Sequence, residues 1–289
     1  MKFKKIAKVI LSCMMAGALF TGCGGSSGDV KPATDKPAET KIGMLSHMNA
    51  TETTLGEMYN AAVEKAGIKA AKYNPKFYDS LRAMQMGIES GEVTEVSLYK
   101  NVADYVVTNN DKFAIMNDDV LGKLKDSFCF AVRNDSIQLK SDLDRIISDM
   151  KSDGTLDKLI NEYITAVNRG QTPPKVEIPT TEGAESIKVG VTGDLPPLDL
   201  VLADNSPAGF NTAMLAEIGK RLGKNVEVVQ IDSGARATAL ASKQIDVVFW
   251  AVVPAGDHLP ADTDKPDGLE FSAPYFEDSV AHIKLKANK

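Results

Sequence analysis

From Lys41 onward the chain alternates short apolar runs with stretches of helical period. Apolar positions three and four apart share one face of a helix, whereas a short compact apolar run reads as a strand. Ile42–Leu45 predicts a strand, and Thr51 to Ala66 a helix with Leu55, Met58 and Ala62 on one face and Gly67 as its stop. Ile68–Tyr73 predicts a second strand, and Asp79 to Ser90 a helix with Leu81, Met84 and Ile88 inward. Thr94–Leu98, Asn101–Asn109 and Lys112–Met116 continue as strand, helix and strand. Ser127–Arg133 predicts a further strand. Ser141 and Asp144 form a capping-box pattern for a helix carrying Leu143, Ile146, Ile147 and Met150 inward. Gly154 breaks that helix, and Thr155 is placed to cap the next, with Leu156, Leu159, Ile160 and Tyr163 inward.

Gln171 to Glu185, with Pro173, Pro174, Pro179 and Gly183, reads as a connector. The alternation then restarts. Ile187–Val191, Val226–Gln230, Ile245–Trp250 and Val280–Lys284 predict strands, and Gly209–Leu222 and Gly234–Ser242 helices. Such alternation implies an α/β fold, a parallel or mixed sheet flanked by helices.

The first forty residues do not belong to this pattern. Lys2, Lys4, Lys5 and Lys8 precede the apolar stretch Val9–Phe20, which is short for a bilayer span, and Thr21-Gly22-Cys23 follows. This is the layout of a secretory signal peptide over residues 1–22. The junction resembles a bacterial lipobox, which implies cleavage before Cys23 and a lipid on its thiol. The plainer alternative is a signal peptide with an incidental cysteine. Gly24 to Lys36-Pro37 is poor in large apolar residues, so 23–40 reads as a flexible tether.

The whole chain has 289 residues, 33 Lys+Arg against 39 Asp+Glu, and a net charge of −6. Four lysines and no acid lie in the signal, so the remainder is more acidic still. That balance argues against a nucleic-acid partner. Of three cysteines only Cys129 stays in the folded part, within the run Phe128–Val132, which predicts a buried structural thiol and no disulfide. The sequence has no G-x-S-x-G, H-E-x-x-H, Walker or G-x-G-x-x-G motif, so no catalytic centre, metal or cofactor is expected.

Several separated motifs resemble the solute-binding proteins of bacterial polar-amino-acid ABC importers. In the second half these are Ile187-Lys188-Val189-Gly190-Val191, Pro196-Pro197, Gly209-Phe210, Leu222-Gly223, Ile245-Asp246-Val247 and Phe271-Ser272-Ala273-Pro274-Tyr275. In the first half Ser90-Gly91-Glu92-Val93 and Ala103-Asp104-Tyr105 resemble that family's second lobe. Phe130–Arg133 and Gly154-Thr155-Leu156-Asp157-Lys158 resemble its closing segment. The resemblance implies a two-lobed periplasmic-binding-protein-like fold with a hinge. The closing helices here precede the first-lobe segment, so the expected arrangement is a circular permutation; two incomplete modules are the alternative.

The expected organisation is a signal at 1–22, a tether at 23–40, a second-lobe-like unit at 41–126, a hinge strand with closing helices at 127–170, the connector at 171–185, and a first-lobe-like unit at 186–289. The closing helices are expected to pack on the 186–289 unit.

Ligand sites in such sheets lie beyond the carboxyl ends of strands. That rule selects Ser46, His47 and Asn49, Tyr99, the loop Thr192–Leu198 with Asp194, and the residues following Trp250. Three of the family's amino-acid contacts are changed: Leu198 replaces an aromatic residue, Ala255-Gly256-Asp257-His258 replaces a Thr-Pro-x-Arg stretch, and Tyr99 replaces an Asp. Arg236 is a candidate to hold a carboxylate or other anion, against the plain reading of a solvated arginine. Asp194 either receives a ligand cation or caps a turn, and Trp250 either stacks on a ligand or fills the core.

The function expected is capture of a small polar solute (an amino acid or a related carboxylate or amine) by a monomeric, lipid-anchored receptor on the extracytoplasmic face. The partners expected are that ligand, ABC permease subunits and the membrane. The alternatives are a dehydratase-like enzyme acting on a cyclic carboxylic acid, with Glu95, Asp194 and Asp257 as candidate acids and bases, and a ligand-sensing subunit.

Overall fold

The computed structural model describes residues 39–65, 72–116, 124–171, 174, 176–202, 206–255 and 259–287. The signal, Cys23, most of the tether, Asp257 and His258 lie outside the described residues.

The first half runs β1 (Glu39–Leu45), α1 (Glu52–Lys65), β2 (Lys72–Tyr78), α2 (Leu81–Glu89), β3 (Glu95–Tyr99), α3 (Lys100–Asn109) and β4 (Phe113–Ile115). Next come β5 (Lys125–Arg133), α4 (Ile137–Ser152) and α5 (Thr155–Ile160), which continues through a π-helical turn at Asn161–Thr165 and a last turn at Ala166–Asn168. The second half runs β6 (Ser186–Val191), β7 (Leu200–Val201), β8 (Pro207–Ala208), α6 (Phe210–Leu222), β9 (Asn225–Gln230), α7 (Arg236–Ala241), β10 (Val247–Ala255), β11 (Leu269–Phe271) and β12 (Phe276–Leu285).

The main sheet has ten strands in the order β2-β1-β3-β12-β5-β10-β6-β9, with β11 beside β5 and β4 beside β12. β1 pairs in parallel with β2 and β3, and β6 pairs in parallel with β9 and β10. The two parallel halves form the two lobes, and β12 belongs to both. Its Phe276–Ser279 pairs with β5, Val280–Ile283 with β3, and Ile283–Leu285 with β4.

The closing helices pack on the second half, as expected. α4 and α5 contact α6. Arg221 of α6 donates to Asp153 at 2.8 Å and Thr155 at 3.2 Å. Asp144 of α4 accepts from the Ala273 N–H at 2.6 Å, and Lys151 donates to the Pro274 carbonyl at 2.6 Å. Beneath them Phe130, Phe210, Phe249 and Tyr275 pack ring to ring, with centroids 4.7 Å apart for Phe130–Tyr275 and 5.7 Å for Phe130–Phe249. Each such buried side chain contributes about 1.5–3 kcal/mol relative to exposure. Cys129 is buried, and burial pushes its thiol up to about 12, as suits a structural position.

Several elements depart from the sequence reading. The second strand is Lys72–Tyr78, and residues 68–71 of the expected Ile68–Tyr73 lie outside the described residues. Its register on β1 runs over all seven residues, Pro75 included, and its place at the sheet edge tolerates a missing N–H. α4 starts at Ile137, so Ser141 is interior and the capping box is not used; Asp144 is taken up by Ala273 and Lys140 instead. Gly154, at φ 78°, occupies the N-cap expected of Thr155, whose own N–H binds Asp153 Oδ1 at 2.9 Å. The expected helix at Gly234 begins as a 3₁₀ turn, Ser233–Ala235. β10 runs on to Ala255, with an irregularity between Val248 and Ala251 that keeps it paired to β5. β12 starts four residues earlier than expected because that stretch pairs with β5.

Candidate functional site

Asp199, in the lobe built by the second half of the chain, is fully buried. Its Oδ2 accepts the Thr192 N–H at 2.8 Å and the Thr192 hydroxyl at 3.1 Å, and its Oδ1 accepts from Asn211 at 2.8 Å. Burial outweighs these bonds and raises its carboxyl to about 6. Thr192 Oγ1 in turn accepts the Trp250 indole N–H at 3.0 Å. With its edge held, the indole presents a face, and the Arg236 guanidinium lies 3.5 Å above the ring centroid. A desolvated cation over an indole gains about 2 kcal/mol.

Arg236 is 1% exposed. Its Nε donates to the Ser233 carbonyl at 2.8 Å and Nη1 to the Trp250 carbonyl at 3.1 Å. Nη2 reaches the other lobe and donates to the Ser46 carbonyl at 2.6 Å. Burial pushes this guanidinium down to about 10, against the pull of Asp264, so it stays charged at neutral pH.

Three more contacts cross between the lobes. Asp194 Oδ1 accepts the Leu81 N–H at 2.9 Å, in the first turn of α2, while Oδ2 accepts the Ser233 hydroxyl at 2.7 Å. Burial raises the Asp194 carboxyl, and the Leu81 and Ser233 bonds oppose it. The Ser233 N–H donates to the Asp79 carbonyl at 3.0 Å. Asp264 Oδ1 accepts from the Asn49 N–H at 2.8 Å and the Ala50 N–H at 3.3 Å, with His47 Nδ1 at 3.4 Å. Burial favours the neutral Asp264 acid, but His47, Arg236 and the Asn49 N–H outweigh it and hold the carboxyl below its ordinary value. Arg236 and Asp264 therefore close from one lobe onto a single segment of the other, Ser46–Ala50.

These groups surround a cavity of about 130 Å³ between the lobes. Ser46, His47, Tyr99, Arg236 and Trp250 of the predicted site line it. Arg236 is not the solvated surface residue of the plain reading, because it is buried on Trp250. Trp250 is 3% exposed, as the core reading expected, and also lines the cavity. Asp194 does not line the cavity and holds the lobes together from beside it. Leu198 is 2% exposed in the main core, and Leu195 takes its place on the wall. Asn49 reaches the site through its main chain, by way of Asp264. Of the three candidate acids and bases, Glu95 lies 3.3 Å from His282 Nδ1, Asp194 bridges the lobes, and Asp257 is outside the described residues.

Asp264 and His282 were not anticipated, and both line the cavity. Asp264 follows no predicted strand, so the rule of strand ends had no hold on it. His282 sits in β12, and only the crossing of that strand from lobe to lobe brings it to the cleft.

The profile of the bacterial extracellular solute-binding proteins, family 3, matches residues 187–289. That segment, about a third of the chain, is similar to this family. It contains β6 to β12, including Arg236, Trp250 and Asp264. No curated protein sequence matches the chain. Among solved structures, the chain resembles the zinc-bound ligand-binding component of an ABC-type import system from Staphylococcus aureus, at 8% identity and TM-score 0.42, over 86% of this chain and 66% of that one. It also resembles the aliphatic sulphonate-binding protein SsuA of Escherichia coli, at 8% identity and TM-score 0.36, over 86% and 66%. The GluR0 ligand-binding core of Nostoc punctiforme with L-glutamate matches at 12% identity and TM-score 0.35, over 85% and 84%. The chain spans just under two thirds of the length of the first two. Among the described residues, no helix is long and apolar enough to cross a membrane.

Proposed function

We propose that this protein is an extracytoplasmic receptor that captures a small solute in the cavity between its lobes and hands it to an ABC permease. The observation that carries this reading is the cavity itself. Arg236 and Asp264, both from the family-matched segment, line it and also grip Ser46–Ala50 of the opposite lobe. A ligand seated there touches both lobes, so it favours the closed arrangement by its differential contacts. The protein does no covalent chemistry in this reading and acts as a monomer. The cationic start and the Thr21-Gly22-Cys23 junction support an exported protein held to the membrane through lipid on Cys23.

The element order supports a circularly permuted member of the family: the lobe at β1–β4 and the closing helices α4 and α5 precede the segment that opens the family pattern. β12 lies beside the start of β5, as the Val280 N–H to Leu124 carbonyl bond at 2.9 Å indicates.

The test is a thermal-shift screen of the full chain against amino acids, carboxylates, amines, amides and sugars, followed by calorimetry. Any ligand of the folded state alone raises the melting temperature. A folded protein that no member of the panel stabilises refutes the reading. A second reading, an acid–base enzyme for a cyclic carboxylic acid, rests on the Glu95–His282 pair, whose imidazole lines the cavity. Chemical conversion of a bound acid, abolished by Glu95→Gln, would establish it in place of the first.

A further inference from the structure

One hydroxyl stands behind two of the contacts between the lobes. Thr192 follows β6 and is 6% exposed. Its Oγ1 lies 3.1 Å from Asp199 Oδ2, 3.0 Å from the Trp250 indole nitrogen and 3.2 Å from the Asp194 main-chain nitrogen. A hydroxyl has one hydrogen to donate and two lone pairs to accept with. The indole and the main-chain amide can only donate, so they take both lone pairs and the hydroxyl hydrogen points at Asp199. Every bonding position of this oxygen is used, and its direction is fixed.

Asp199 is itself held in place. Its Oδ2 also accepts the Thr192 N–H at 2.8 Å, and the fully buried Asn211 of α6 donates to its Oδ1 at 2.8 Å. From this anchor the two N–H donors lead outward. The Trp250 ring carries the Arg236 guanidinium 3.5 Å from its centroid, and Arg236 reaches the Ser46 carbonyl of the other lobe. The Asp194 N–H holds the loop whose carboxylate crosses to the Leu81 N–H at 2.9 Å. The same oxygen therefore orients the buried cation on the cavity wall and the carboxylate that joins the lobes beside it.

Valine has the shape of threonine without the oxygen. At position 192 it would leave two buried N–H groups without their acceptor, which is costly out of water. The indole could satisfy its own only by leaving its present plane, and Arg236 would lose the face on which it lies.

Taking the cavity as the site of the solute receptor, we propose that Thr192 is a positioning residue of that site. Its hydroxyl holds the Trp250 plane that places Arg236 in the cavity, and it holds the Asp194 loop that joins the lobes.

Trp250 is the only tryptophan of the chain, so its fluorescence and its indole N–H resonance report this place alone. All measurements use the full chain without added solute, so failure of the proposal leaves the receptor reading to the solute panel. In the wild type the indole N–H is expected to exchange with water at least about tenfold more slowly than that of free tryptophan, and faster exchange overturns the proposal. Thr192→Val is expected to raise the acrylamide quenching constant of Trp250 at least about twofold and to enlarge the radius of gyration in small-angle scattering. Thr192→Ser keeps the hydroxyl and is expected to match the wild type in both. A Val variant with wild-type quenching or a wild-type radius overturns the proposal. So does a Ser variant that quenches as the Val variant does, because the methyl group and not the hydroxyl would then hold the indole. Should the Val variant not fold, the Ser variant decides by exchange: an indole N–H at the wild-type rate supports the proposal, and one at least about tenfold faster overturns it.

Discussion

Replacing Arg236 with Ala removes a buried cation, its stack on Trp250 and hydrogen bonds to three main-chain carbonyls. A bond from a charged donor contributes roughly 1.5–3 kcal/mol, but burying the guanidinium itself costs several kcal/mol, so the bonds do not simply add. The nearer guide is removal of one partner from a buried charge pair, which costs about 3–5 kcal/mol. The variant removes a positive charge that helps hold Asp264 ionised, with His47 left beside that carboxylate, and leaves the Ser46 carbonyl without its donor. For a chain of this size each kcal/mol lowers the melting temperature by about 2–4 °C, so a fall of roughly 6–20 °C is expected. Urea unfolding followed by circular dichroism, alongside a thermal melt, measures it. Arg236→Lys keeps the charge but not the planar fork, and should fall between wild type and Ala. A loss below about 1 kcal/mol for the Ala variant would show that Arg236 contributes little to the fold or to closure, and the reasoning would fail.

Three further outcomes follow from the same geometry. Asp199 has a carboxyl raised from 3.8 to about 6 in the folded state; its contribution is fully present below about pH 4 and is lost as the pH rises through about 6, by about 3 kcal/mol. Urea midpoints between pH 4 and 7 should show this component, and Asp199→Asn should flatten it while weakening the fold at every pH. Asp194→Ala removes the acceptor of the Leu81 N–H and the Ser233 hydroxyl; a loss of about 1–2 kcal/mol is expected, with small-angle scattering showing a larger radius of gyration for the unliganded protein. A Cβ at Gly234 would lie 2.3 Å from Asp79 Oδ1, the end of an exposed side chain that can turn aside, so Gly234→Ala should displace the Asp79 carboxylate from the Ser46 hydroxyl and lower the urea-derived stability by no more than about 1 kcal/mol, a larger loss refuting this.

Much of the fold was legible along the chain because it is written in local periodicity. Leu143, Ile146, Ile147 and Met150 are buried along one helix as their spacing predicts, and Gly223 ends α6 in the left-handed conformation, as a C-terminal stop should. Strand limits were less legible. β2 and β10 are bounded by their neighbours' registers, and nothing in Asn74-Pro75 or Val253-Pro254 marks them as paired.

The site was partly legible in the same way. Ser46, His47, Tyr99 and Arg236 reach the cavity because they lie at or near strand and helix ends, positions that sequence can place, whereas Trp250 reaches it from within β10, which runs on past the expected strand end. Leu198 was misplaced because the turn after β6 aims Leu195, not Leu198, at the cleft. Sequence alone determined the α/β alternation, the acidic balance and the candidate Arg236. Tertiary structure decided what those residues do. Arg236 stacks on Trp250, fourteen positions away, and bonds to Ser46, 190 positions away. Asp264 meets Asn49 across 215 positions. Local propensity carries no information about such pairs. They form only because burying the apolar faces of both lobes brings distant charges together, where each needs a partner to remain out of water.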